Sequence, residues 1–240
     1  MTLDVRRARD RLATRIDWLD SRHSFSFGQH YDPANTHFGL LLVSNDDVVA
    51  PGSGFSTHPH RDMEIVTWVL DGELAHQDSH GHSGLITPGL AQRMSAGTGM
   101  LHSEINAAGD APVRFVQMWV LPDTESVTPS YDQLDITAEL DRGGLVPVAS
   151  GRRDRQGHDA AISIRQAGAV LWAARLQRGE SVQLPDAPYV HLFVARGEVV
   201  LEGAGALAQG DAVRMTAAGG PALTATSAAE VLVWEMQHSL

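Results

Sequence analysis

Cysteine is absent from the 240 residues, which excludes disulfides and thiolate metal sites together. Any metal must then be held by His and carboxylate side chains. No stretch of about 18 consecutive apolar residues occurs, so no membrane-spanning helix is expected. Basic residues are few: 18 Lys plus Arg stand against 29 Asp plus Glu, for a net charge of −11. A nucleic-acid phosphate backbone therefore finds no basic footprint, and direct DNA or RNA binding is not expected. The N-terminal stretch Met1 to Ala8 lacks the apolar segment of a signal peptide. A soluble, cytoplasmic protein, and a monomer, are the expectations.

What is present is an ordinary globular composition, 43% hydrophobic and 20% charged, with ample material for a core. Short apolar, β-branched runs are separated by Gly, Pro and Asp turns about every ten residues, the pattern of a β-barrel or sandwich. His23–Phe27, Phe38–Val43, Glu64–Leu70, Glu73–Asp78 and Val113–Leu121 read as strands, with a hairpin signal at Asp71-Gly72. Asn45-Asp46-Asp47 reads as a turn, and so do Tyr31-Asp32-Pro33 and Thr87-Pro88-Gly89. Residues 1–122 form a first domain, 123–146 a polar connector and 147–240 a second domain.

The second domain echoes the first. Val69-Leu70-Asp71-Gly72-Glu73-Leu74 is similar to Val194-Ala195-Arg196-Gly197-Glu198-Val199, and Arg93-Met94-Ser95-Ala96 to Arg214-Met215-Thr216-Ala217. Phe115 to Trp119 echoes Val231 to Glu235 more loosely. Three matches in one order indicate a duplicated domain.

Histidines are unevenly placed: nine of the twelve lie at or before His102. His58 and His60 are two apart, as are His102 and Glu104. Side chains two apart on a strand share a face. Two strands, each presenting two such groups, can close a site of three nitrogens and one oxygen around a divalent metal. The donor set suits Fe, Zn, Ni, Cu or Mn without choosing among them. Four ligands on an octahedral ion leave two positions open, an arrangement that goes with catalysis. Carried into the second domain, the repeat puts Gln183, Pro185, Leu223 and Ala225 at the four positions, so that domain has no such site.

Glu64, four residues past His60, would share its face on a regular strand. It is a candidate alternative ligand, partner of an imidazole N–H, or general base, and Glu104 is the other candidate base. His76, His80 and His82 read as a solvated loop cluster; His23, His30 and His37 as surface or packing residues; Trp68, Met118 and Trp119 as barrel core. Gly97-Thr98-Gly99 lacks the Lys of a phosphate-binding loop. No Ser stands in a nucleophile elbow.

At these residues the chain resembles the pirin family of the cupin superfamily. The resemblance rests on Asp20-Ser21-Arg22-His23-Ser24-Phe25-Ser26-Phe27-Gly28, Tyr31-Asp32-Pro33, Thr57 to Thr67, Met94 to Gly99, His102-Ser103-Glu104 and Pro129 to Gln133. It covers residues 15–135, and the rest matches in general layout. It implies an all-β bicupin, two β-barrels face to face, with metal in the first only. It implies ligation by His58, His60, His102 and Glu104, with iron as Fe(II) the usual metal. It also implies quercetin 2,3-dioxygenase activity, in which a flavonol and O₂ give a depside and carbon monoxide. Two other readings remain open. One is an iron-binding regulatory protein whose acidic surface meets a protein partner. The other is an isomerase or lyase that uses the metal as a Lewis acid.

Overall fold

The computed structural model describes residues 2–152 and 160–240. In chain order it begins with β1 (Thr2–Arg6), β2 (Leu12–Ile16), β3 (Leu19–His23), β4 (Leu41–Val49), β5 (Gly54–His60) and β6 (Glu64–Asp71). Then follow β7 (Leu74–Asp78), β8 (Ser83–Ile86), β9 (Leu90–Ser95), β10 (Met100–Asn106), β11 (Val113–Val120) and β12 (Ser130–Asp135). A one-turn helix, Thr137–Leu140, precedes β13 (Val146–Ser150), β14 (Ile162–Ser163), β15 (Ala169–Leu176), β16 (Ser181–Gln183) and β17 (Tyr189–Arg196). The chain closes with β18 (Glu198–Leu201), β19 (Gly205–Ala208), β20 (Ala212–Thr216), β21 (Ala222–Ala225) and β22 (Ala229–Met236).

Each half is a seven-stranded sheet packed on a four-stranded one, the layered arrangement of a jelly roll. The first half has the order β12-β9-β6-β11-β4-β3-β2 over β5-β10-β7-β8. The second has β1-β20-β17-β22-β15-β13-β14 over β16-β21-β18-β19. Strand for strand the two orders correspond, and the three sequence echoes fall on corresponding strands.

The seven-stranded sheets meet face to face, and period-two patterning explains how. In β6, Val66, Trp68 and Leu70 point to the other half, while Ile65 and Val69 face their own interior. In β22, Leu232, Trp234 and Met236 face the first half, and Val231 and Val233 their own core. Both faces of these strands are buried, so they read as nearly continuous apolar runs.

Two segments cross the boundaries expected from sequence. β1 pairs with β20 of the second half, and β12, inside the expected connector, pairs with β9 of the first. Each half thus takes its edge strand from beyond the boundary at 122. Asn45-Asp46-Asp47 is not a turn but the middle of β4, buried on both faces. Arginines make this possible: Arg114 donates two hydrogen bonds to Asp46, both at 2.9 Å, and Arg11 lies 3.7 Å from it. The strand read at His23–Phe27 in fact ends at His23, its last strand residue.

Candidate metal centre and substrate pocket

β5 and β10 are antiparallel neighbours in the four-stranded sheet, with His102 opposite His58 and Met100 opposite His60. A bulge between His102 and Glu104 shifts the register, so that Glu104 faces Phe55. Gly54 is needed there: a Cβ on it would come within 2.2 Å of the Glu104 carbonyl oxygen.

The result is a tight imidazole cluster. Ring centroids of His58 and His102 lie 4.5 Å apart, and His60 is 4.9 Å from each. One donor atom from each of the three can be chosen so that all lie within 4.8 Å of one another. His76, His102 and Glu104 satisfy the same condition as a second, overlapping group. His58 Nδ1 donates to the Ser56 carbonyl at 2.8 Å, leaving Nε2 free. His60 Nε2 and His102 Nε2 are buried without a hydrogen-bond partner. Burial, reinforced by neighbouring imidazoles, holds His60 down to about 4 and His102 to about 2, so both rings are neutral with lone pairs available. Orphaned, neutral imidazole nitrogens pointing at one another cost stability unless something electron-deficient sits between them. The donor set fits a divalent metal.

Glu104 is buried beside them. Its carboxylate accepts from Gln117 Nε2 at 2.7 Å and from Thr67 Oγ1 at 3.3 Å. Gln117 is fixed in turn, its Oε1 accepting from Trp119 Nε1 at 3.0 Å. Trp119 stands edge-on to His60 at 4.9 Å. It is half-buried and lines the pocket, while Trp68 and Met118, also expected in the barrel core, pack instead between the two halves.

Glu64 is elsewhere. A regular strand through residues 60–64 would have placed it with His60, but the chain turns at Asp62, which has φ 47°. β5 belongs to one sheet and β6 to the other, and Glu64 shares the face of Val66 and Trp68. Its carboxylate accepts from Ser95 Oγ at 2.8 Å and from the Arg165 N–H at 3.0 Å. It clamps the two halves together and is not among the described groups of side chains placed to share a metal.

Over the imidazoles opens a cavity of about 710 Å³. His58, His60, Glu104 and Gln117 line one side of it, and Trp18, Phe27, Phe55 and Trp119 supply aromatic wall. Trp18 meets Phe55 edge-to-face at 5.3 Å, and Phe27 meets Trp119 at 5.6 Å. The volume lies within the range of small-molecule sites, about 300–1,000 Å³. Among the described residues, no helix is long and apolar enough to cross a membrane.

Comparison with known proteins agrees with this geometry. The family model described as Pirin matches residues 4–120, and one described as Quercetinase C-terminal cupin domain matches residues 148–236. The Mycobacterium tuberculosis protein named "Putative quercetin 2,3-dioxygenase Rv0181c" is 60% identical over 239 residues, 100% of this chain and 97% of that one. The chain belongs to the pirin family. Another relative, the quercetin 2,3-dioxygenase of Escherichia coli K12, is 38% identical over 200 residues, covering 83% of this chain and 84% of that one. The crystal structure of the bacterial pirin YhhW from Escherichia coli, in complex with nickel(II), superposes with a TM-score of 0.89. It is 33% identical and covers 100% of both chains. The two-domain, all-β pirin fold is thereby established.

Two polar residues of this pirin site escape a reading of the sequence alone. His76 is buried in β7, with its ring 5.3 Å from that of His102 and stacked on Tyr131 at 4.8 Å. Its Nε2 lies 3.4 Å from an Asp78 oxygen. The missed signal is that His76 and Asp78 have the same spacing of two as the other pairs. Asp47 also lines the pocket, with Oδ1 buried and unpartnered.

Burial pushes the Asp47 carboxyl up to about 7, with the charges of Asp46 and Glu104 adding to the rise and Ser21 and Arg11 opposing it. An acid with a folded pKa above its unfolded value, 3.8 here, holds its proton more tightly in the folded chain. Its contribution is complete below the unfolded value and lost as pH rises through the folded one. Asp47→Asn, which cannot ionise, should therefore gain stability relative to the parent between about pH 4 and pH 7. Urea unfolding of both metal-free proteins at pH 5 and pH 8 measures this; a difference independent of pH would contradict it.

Proposed function

We propose that this pirin is a metal-dependent dioxygenase that cleaves flavonols such as quercetin, with His58, His60, His102 and Glu104 holding one Fe(II). The observation that carries the reading is the opening of an aromatic-walled cavity directly onto the imidazole cluster. The names of the relatives and the nickel(II) complex of the Escherichia coli pirin support it.

Bound there, the metal would supply Lewis acidity and redox access to O₂. The chain's own residues do the rest. Trp18, Phe27, Phe55 and Trp119 accept the flat, apolar face of a flavonol and exclude water. Gln117 and Thr67 hold Glu104 in one orientation, so its carboxylate is positioned before substrate arrives. Asp47 and Glu104 are the pocket's carboxyl groups, and either can take the proton of the 3-hydroxyl. In the overall reaction both oxygen atoms of O₂ enter the products: the flavonol's carbon 3 leaves as CO and the remainder becomes the depside.

The test is the loss of quercetin absorbance by the iron-loaded protein, with and without oxygen. Loss should require O₂, one equivalent per flavonol, with release of one CO. Oxygen-independent loss would sink the proposal.

A further inference from the structure

A second cavity, about 350 Å³, lies where the N-terminal arm and the two halves meet. Arg11 and Arg214 reach into it from opposite halves, with Ser24, Asn35 and His191 between. The two guanidinium groups converge on one residue. Arg11 Nη2 donates to Ser24 Oγ at 3.2 Å, and Arg214 Nη2 to the Ser24 carbonyl at 2.9 Å. Aromatic rings cap their flat faces: Phe193 lies 4.9 Å from the Arg11 centre and Phe25 4.6 Å from that of Arg214. Only guanidinium edges are left to meet a ligand.

Those edges are incompletely satisfied. Arg11 Nε, Arg214 Nε and His191 Nε2 are all buried and have no hydrogen-bond partner among the described residues. Arg11 and Arg214 are nine-tenths or more shielded from solvent, with Arg11's side chain 3% exposed and Arg214 6%. Charge is also unbalanced. Arg11 has Asp46 at 3.7 Å. Arg214 stands opposite Asp4 of β1, whose charge acts on it, but Asp4 is paired with Arg6 and no described carboxylate lies within ion-pair distance of Arg214. At the mouth, Arg6 is taken up by Asp4 at 2.8 Å and Arg7 by Asp211 at 2.7 Å. A water molecule could accept a hydrogen bond from Arg214 but would leave its charge with only the shared Asp4 to offset it.

The duplication provides an internal control. Arg93 occupies in β9 the place of Arg214 in β20. It too reaches across to the other half, but its Nε donates to the Ser163 carbonyl at 2.9 Å and its Nη1 to Ser95 and Ser130. Asp132 lies 3.9 Å away. That is an arginine serving only to join the halves. Opposite Arg93 in the neighbouring strand stands Val66; opposite Arg214 stands His191. The second copy has an imidazole where the first has an apolar side chain, and an unbonded Nε–H where the first has a bonded one.

We infer that the cleft closed by Arg11, Arg214 and His191 is a binding site for a small oxyanion, a carboxylate or phosphate. One N–H from each guanidinium would take one oxygen of the anion, with the His191 ring forming the wall beside them. The cavity lies at the small end of ligand sites, about 300–1,000 Å³, and suits an anion of a few heavy atoms. It is separate from the flavonol cavity but shares the His23 wall with it. The inference does not depend on what the metal centre does.

The test uses the full, metal-loaded chain, with acetate and inorganic phosphate as probes and sodium chloride at matched ionic strength as the reference. Calorimetry should show one saturable site per chain for at least one probe, with a melting temperature that rises and then saturates. Which probe binds distinguishes carboxylate from phosphate recognition. Arg214→Gln should weaken binding by about tenfold or more. Should that variant not fold, protection of Arg214 from phenylglyoxal by the bound anion, mapped by mass spectrometry in the parent protein, reads the same contact. Absence of saturable binding beyond chloride at a Kd below about 10 mM overturns the inference. So does undiminished binding by folded Arg214→Gln, or modification of Arg214 that the anion does not slow.

Discussion

Protein purified after iron loading should carry one metal per chain, and His102→Ala and His58→Ala should each carry almost none. His102 is central to both overlapping donor groups and touches His58, His60 and His76. Its removal takes away a proposed ligand and loosens the packing around the others. His58→Ala is the cleaner variant, since its ring is only half-buried and its Nδ1 is bonded locally to Ser56. Loss of groups that merely orient a ligand costs about 10–100-fold in affinity; loss of a ligand should cost at least the upper end of that range. Elemental analysis after dialysis against a weak chelator measures it, with a thermal melt showing whether the variants remain folded. One metal per chain in both variants would remove the proposed centre.

Trp68→Ala should have the largest effect on stability. Trp68 is fully buried between the two seven-stranded sheets, among Val66, Leu70, Met118, Leu232 and Trp234. Its Nε1 donates to Glu230 of the second half at 2.6 Å, and Glu230 also accepts from Arg175 at 3.2 Å. Truncation opens a cavity and removes one donor from a buried carboxylate. Phe/Trp→Ala changes in cores cost about 3–5 kcal/mol, and the lost hydrogen bond to a charged group adds about 1.5–3 kcal/mol. A drop in melting temperature on the order of 10 °C follows for a chain of this size. Trp68→Phe should recover part of the packing but none of the hydrogen bond. A melting temperature within about 2 °C of the parent for Trp68→Ala would mean that the halves are joined by something other than this contact.

The residues that proved legible in the sequence are those with strictly local logic. Spacings of two put His58 with His60 and His102 with Glu104 on single strand faces, because the pleat alternates whatever the fold. The β-rich, duplicated layout was legible for the same reason: alternation and turn residues recur in both halves. The absence of the four donor types from the second half could also be read directly. There Leu223 and Ala225 of β21 pack into the core with Leu184, Val199, Leu207 and Met215.

Other features depend on which strand meets which. Glu64 follows His60 closely, but the turn at Asp62 moves the chain from one sheet to the other, and spacing along the chain ceases to predict a shared face. Asp47 looks like part of a turn until Arg11 and Arg114 are seen to neutralise its neighbour. His76 looks like loop because its buried partners, His102 and Tyr131, come from strands 26 and 55 residues further on. The exchange of edge strands, β1 to the second half and β12 to the first, has no local signature at all. A strand's sequence states which faces it can bury, but only the assembled sheets decide what lies against them. The amino-acid sequence by itself therefore determined the fold class, the duplication and the paired donors. The tertiary structure decided which carboxylates reach the pocket and where two arginines from opposite halves meet, because side chains so distant in sequence become neighbours only through packing.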